Sequence, residues 1–163
     1  MFTTKNETEH FSYEDCVIRE FEVSEEGIVL TTEALIVEPK NSQNTNFTRS
    51  YADLAKIVFE GGEIRKAVRE GYKRYDADDR LLEEIPDEEL EKEELGTLLS
   101  GIRGQYLYDL KEAGNEDGKR SLVLGIEMTT EDLTGVDADS FQILVECSDV
   151  TISWERYLNR IQQ

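Results

Sequence analysis

The sequence predicts an α+β domain, an antiparallel sheet of about five to seven strands with one or two helices packed on one face. Three observations lead there. Segments of strand character cluster at both ends of the chain, the helical patterns lie between them, and no βαβ alternation is present. The 163 residues contain no internal repeat and no low-complexity linker, so the expectation is a single domain over 1–163, with the polar stretch 1–10 flexible.

The elements follow in order. Phe11 to Val23 reads as a strand in which Val17, Phe21 and Val23 share one parity and Cys16 and Ile18 the other, which implies a bulge or burial of both faces. Glu25-Glu26-Gly27 is a turn, and Ile28 to Val37 returns as a β-branched strand, making a hairpin. Lys40 to Ser50 is a polar loop. Tyr51 to Phe59 is ambiguous between strand and helix and ends at Gly61-Gly62. In Ile64 to Tyr75, the spacing of Ile64, Ala67, Val68, Tyr72 and Tyr75 favours a helix. A shared strand parity of Ile64, Val68 and Tyr72, together with Gly71, keeps a strand open. Pro86 and the acids around it predict a helix over 86–101, with Leu90, Leu95, Leu98 and Leu99 as its apolar stripe. Tyr106 to Leu110 and Ser121 to Met128 alternate around a turn at Asn115-Glu116-Asp117-Gly118. Thr130 to Ser140 reads as a polar loop. Phe141 to Cys147 and Val150 to Trp154 read as one long or bulged strand, and Tyr157 to Ile161 as a short helical tail.

Charge is the strongest compositional signal: 37 Asp and Glu against 18 Lys and Arg give a net charge of −19. Such a surface repels nucleic acid and anionic lipid and steers basic partners toward it. Eleven carboxylates between Asp76 and Glu94 face only Arg80 and Lys92, so this stretch carries −9, nearly half of the imbalance. Asp76, Asp78, Asp79, Glu83, Glu84, Asp87, Glu88 and Glu91 are therefore the candidate partner-binding residues. The basic run Arg65, Lys66, Arg69, Lys73 and Arg74 directly precedes them, and internal charge pairing between the two is the expectation.

Chemistry finds little support. The only histidine, His10, sits in the polar start, so Cys-His or Ser-His catalysis lacks a base near its nucleophile. Two distant cysteines and one histidine make no zinc site. Asp76, Asp78 and Arg80 mimic the first positions of an EF-hand loop, but Leu81 stands where glycine is needed and Asp87 where a bidentate Glu is needed. Asp137 and Asp139 form another carboxylate pair that reads as a solvated loop. No catalytic residue, metal or cofactor is expected. Cys16 and Cys147 read as buried thiols, Trp154 as a core anchor, and no stretch approaches the ~20 apolar residues of a membrane span. A cytoplasmic location is the default.

Phe11-Ser12-Tyr13-Glu14-Asp15-Cys16-Val17-Ile18 at the start and Ile152-Ser153-Trp154-Glu155-Arg156-Tyr157 at the end resemble small acidic bacterial proteins of the toxin-immunity type. The resemblance is one of layout and acidity and carries no residue roles. It implies a non-enzymatic binder that occludes a basic site. Three functions are thus weighed: a binding protein docking a basic partner, a structural protein self-associating through a sheet edge, and a carboxylate-based enzyme for small ligands or carbohydrates. The first is favoured. The partner's identity and the oligomeric state stay open.

Overall fold

A computed structural model of the chain describes the backbone of residues 1–132 and 135–160 and, except at 130–132, 135–137, 159 and 160, their side chains. Its first half contains β1 (Phe2–Lys5), a 3-10 turn (Thr8–His10), β2 (Phe11–Ser12), β3 (Val17–Ser24), β4 (Gly27–Glu33), β5 (Ile36–Val37), β6 (Ser50–Ala52), β7 (Ala55–Glu60) and β8 (Glu63–Arg69). The second half contains β9 (Tyr72–Tyr75), β10 (Leu81–Ile85), β11 (Glu88–Glu89), α1 (Lys92–Ser100), β12 (Tyr106–Glu116), β13 (Lys119–Asp132), β14 (Gly135–Cys147), β15 (Asp149–Trp154) and β16 (Tyr157–Arg160). About 60% is strand and 8% helical, with one α-helix among the described residues. The α+β expectation is overturned. The principal sheet has ten strands, in the order β1-β15-β7-β4-β3-β12-β13-β14-β8-β11, every pairing antiparallel.

Eight of the ten strands close on themselves, with β1 and β11 each paired on one side only. β7 and β8 are two halves of one bent strand, and so are β14 and β15. The paired registers run on through both bends, from Ser153↔Lys56 to Asp149↔Glu60 and from Glu146↔Glu63 to Phe141↔Arg69. β7 continues to β4 and β14 to β13. β3 and β12 complete the ring through the Tyr106↔Val17 bridge, with Ile18 N–H donating to Gln105 O and Leu107 N–H to Cys16 O. The result is a barrel-like ring of antiparallel strands, which closure deprives of most free edges.

Alternation fills the ring. Ile28, Leu30 and Thr32 of β4 point inward, as do Ile57 and Phe59 of β7, Leu122, Leu124 and Ile126 of β13, Ile143 and Val145 of β14, and Val150 and Ile152 of β15; all are buried. The expected bulge in the first long strand lies between Ile18 and Glu20. The two bent strands share a corner that depends on glycine. Gly27 has φ +141°, and a Cβ there would sit 2.4 Å from Phe59 O; one on Gly62 would sit 2.8 Å from the same oxygen. The hairpin turn Asp117-Gly118 has φ of +53° and +76°, the left-handed pair the sequence signalled.

A four-stranded sheet, β16-β6-β5-β2, packs beside Trp154. Trp154 is 1% exposed and stacks on Phe2 at 5.6 Å, with Phe11 and Tyr157 edge-on at 5.7 and 5.9 Å. The core-anchor reading of Trp154 holds. Both cysteines are free and buried.

Several local expectations give way to tertiary pairing. Residues 1–10 are not frayed. β1 pairs with β15, Thr4 and Thr8 are buried, and Asn6 exchanges backbone and side-chain hydrogen bonds with Val150. Ile64 to Tyr75 is two strands, because β8 is captured by β14 and β9 by β10. Residues 86–91 are extended, since Glu88 and Glu89 pair with β8 and Leu90 N–H donates to Ala67 O; the helix starts only at Lys92. The expected loop Thr130 to Ser140 continues the β13–β14 ladder on either side of 133–134. The expected helical tail is strand β16, paired with β6, and Ile161 lies outside the described residues. No helix among the described residues is long and apolar enough to cross a membrane.

Candidate functional site

The acidic stretch begins on a two-stranded ribbon, β9–β10, that makes no sheet pairing with the ring. Its base is tight. A Cβ on Gly71 would lie 2.0 Å from Ile85 O, and Gly71 N–H donates to Asp87 Oδ1 at 2.7 Å. Its tip is a turn in which Asp76 Oδ1 accepts from the N–H of Asp78 at 2.8 Å and of Arg80 at 2.9 Å, with Asp79 at φ +59°. Across the ribbon Glu83 meets Arg74 at 3.4 Å and Glu84 meets Lys73 at 3.7 Å. The anticipated internal charge pairing is present at these two positions. Glu91 N-caps α1 in a reciprocal box with Glu94, which accepts Glu91 N–H at 3.2 Å.

The eight sequence-predicted residues therefore divide. Asp76, Asp87 and Glu91 hold backbone amides, Glu83 and Glu84 hold cations, and Asp78, Asp79 and Glu88 have no side-chain partner among the described residues. Across 76–94, nine of the eleven carboxylates have no cationic nitrogen of the described residues within 4.0 Å. The negative potential survives folding. Interleaved with it are exposed apolar side chains that the composition did not single out: Tyr72, Tyr75, Leu81 and Leu82, the last 66% exposed. Tyr72 and Tyr75 stood in a segment whose spacing favoured a helix, and Leu81 and Leu82 in the acidic stretch. Paired as a hairpin, Tyr75 lies opposite Leu81 and Tyr72 opposite Ile85, which leaves apolar side chains exposed on both faces of the ribbon.

A cleft opens where β8, β13 and β14 reach α1. The inward rows Ala67-Arg69, Ile126-Met128 and Phe141-Asp139 continue into it, because Phe141 pairs with Arg69 and Met128 with Asp139. Leu90, Glu94, Thr97 and Leu98 close the other side of a cavity of about 350 Å³. The Arg69 guanidinium carbon lies 5.4 Å above the Phe141 ring, with no carboxylate of the described residues within 4.0 Å of its nitrogens. Sequence reasoning placed Arg69 in a basic run and did not see this cleft, whose walls come from four separate segments. The inward parity ending at Met128 was the one available signal. The Asp137–Asp139 pair is only half accessible to description, since the Asp137 side chain lies outside the described residues.

Elsewhere the chemistry is sparse. Among the described residues no group of three or more His, Cys, Asp or Glu is placed to hold a metal ion. His10 is ordered, not in a loose tail. Its Nδ1 lies 3.2 Å from Glu7 Oε1, and the Ser42 hydroxyl also donates to Glu7. Both groups converge on the carboxylate, so the hydroxyl is not hydrogen-bonded to the imidazole that would have to activate it. Burial acts against ionisation of Glu7, but the Ser42 hydroxyl, the Ser42 N–H and His10 together hold its carboxyl below the ordinary range. Burial pushes the Cys16 thiol up to about 12 against a counteracting contact with Thr32, and the Cys147 thiol up to about 11, which leaves both unreactive. Comparison with known proteins finds no matching family model, no matching curated protein and no matching solved structure.

Proposed function

We propose that the chain is a non-enzymatic, cytoplasmic binding protein, of the inhibitor or immunity type, that docks a basic protein partner through the β9–β10 ribbon and the strap that follows it. The observation that supports this is the coincidence of two features along residues 72–94. Nine carboxylates between 76 and 94 have no cationic nitrogen within 4.0 Å among the described residues, and Tyr72, Tyr75, Leu81 and Leu82 stand exposed in the same stretch. Charge alone gives steering and solubility; the apolar side chains supply the surface that a stable interface must bury. The same potential disfavours nucleic acid. Two free, buried thiols accord with a reducing compartment.

The test uses the full chain immobilised and exposed to host extract at ~50 and ~500 mM salt, a range over which screening shortens several-fold. Three variants run beside it: Leu82→Ser, the triple Asp78→Asn/Asp79→Asn/Glu88→Gln, and a distant control, Lys40→Gln. The reading requires a basic protein that is retained at low salt, lost at high salt, lost with both ribbon variants and kept by the control. A partner indifferent to the ribbon variants would place recognition elsewhere.

A further inference from the structure

The cleft beneath α1 has a composition that the acidic ribbon does not explain. Its floor is apolar, from Leu90, Leu98, Met128 and Phe141. Its polar groups carry both signs, Arg69 against Glu94 and Asp139, and the guanidinium is not within 4.0 Å of either carboxylate. Most cations of this chain are paired: Arg19, Arg49, Arg65, Arg103 and Arg120 each touch a carboxylate at 3.1 Å or less. Arg69 instead lies over Phe141, with no carboxylate of the described residues within 4.0 Å of its donors. Asp139 likewise makes no ion pair among the described residues, and Glu94 uses one oxygen on Glu91 N–H.

We propose that this cleft binds a small zwitterion with an apolar body, of the α-amino acid kind. The ligand carboxylate takes the planar fork of Arg69. The ammonium lies toward Asp139 and Glu94, and the side chain covers Leu98, Met128 and Phe141. An anion without a cationic group would meet two carboxylates and the field of a chain at −19. A cation without an anionic group would meet Arg69 on the aromatic face it would otherwise use. Only a molecule bearing both charges answers all three side chains. The volume, about 350 Å³, falls at the small end of ligand sites, and the mouth of a strand ring is a usual place for one. This inference stands independently of whether the ribbon docks a protein.

The chain has two methionines, Met1 and Met128. Met128 lines the cleft and Met1 is exposed far along the sequence, so methyl-labelled methionine gives one reporter and one internal control. L-phenylalanine is titrated against three probes: its amide, its N-acetyl derivative and glycine. The Met128 methyl is expected to move saturably with phenylalanine while Met1 stays still. The amide and the N-acetyl derivative should each bind at least about tenfold more weakly, the loss of one good charged contact, and glycine should bind more weakly by a similar factor because it leaves Leu98, Met128 and Phe141 uncovered. Arg69→Gln, with an unchanged starting Met128 resonance as its folding control, should abolish the shift. A Met128 resonance unmoved by phenylalanine overturns the proposal. Equal binding of the amide would make the cleft a cation site, equal binding of the N-acetyl derivative an anion site, and either result also overturns it.

Discussion

Replacing Gly27 by alanine should be among the most damaging single changes available in this protein. Gly27 opens β4 at the corner where β7 turns into β8. Two costs add there. Its φ of +141° lies in a region that L side chains rarely adopt, worth about 1–3 kcal/mol. Its new Cβ would lie 2.4 Å from Phe59 O and 3.1 Å from Gly61 N, both backbone atoms that cannot rotate away. Forcing the corner apart adds about 1–3 kcal/mol more. A total near ~4 kcal/mol is a large share of the ~5–15 kcal/mol that holds a domain together. For a chain of this length it lowers Tm by roughly 8–16 °C. Gly61→Ala is the matched comparison: φ is +63°, nothing lies within 4 Å of the new carbon, and only about 1–2 kcal/mol of left-handed strain applies. Urea unfolding of both variants, with the slope unchanged, measures the difference. Equal losses for the two would mean that the backbone does not approach as closely at the corner as described, and the continuous ladder through the bend would be in error.

The other expectations concern smaller features. Gly125→Ala drives a methyl to 2.7 Å from the Tyr108 ring, which covers this glycine. It should cost about 1–3 kcal/mol and lower the Tyr108 phenol from about 12, where burial and its hydrogen bond to Glu70 hold it, as read by ultraviolet titration. Native protein at pH 8 should leave both thiols untouched by an aromatic disulfide reagent while denatured protein titrates two, because burial keeps Cys16 and Cys147 protonated. Since those thiols ionise in the unfolded chain first, stability should fall as pH rises from the ordinary thiol range toward 11–12. Glu7 acts at the other limb. Its carboxyl is depressed in the folded state, so its contribution is present above the unfolded value and lost as pH falls through the folded one. Glu7→Gln should therefore lower Tm at neutral pH, flatten the acid side of the stability profile below about pH 4 and leave the slope of the alkaline side unchanged, as measured by Tm against pH.

What could be read from the sequence was what is decided locally. The Asp117-Gly118 hairpin needs two left-handed residues in a row and names itself. The parity break near Ile18 is a bulge, and Trp154 and both cysteines are buried as their residue types suggest. What misled was what a distant strand decides. Ile64 to Tyr75 has spacings that satisfy a helix and a strand alike, and β14 settles the matter from more than seventy residues away. Pro86 and its acids look like a helix start, yet Leu90 N–H is already taken by Ala67 O, which delays the helix to Lys92. The candidate sites divide in the same way. A run of carboxylates is visible in one dimension. Arg69, Met128, Phe141 and Asp139 become neighbours only through strand register, which no single segment encodes.

The pairing of Phe2–Lys5 with the strand that ends at Trp154 has a consequence during synthesis. On the ribosome β1 must wait for β15, and at 5–20 residues per second that interval is roughly 8–30 s. Once β7 has been made, the edge that β15 will cover stays open on it, and the aromatic platform for Phe2 does not yet exist. Nascent chains stalled before residue 149 should accordingly be the species that chaperones hold and proteases cut.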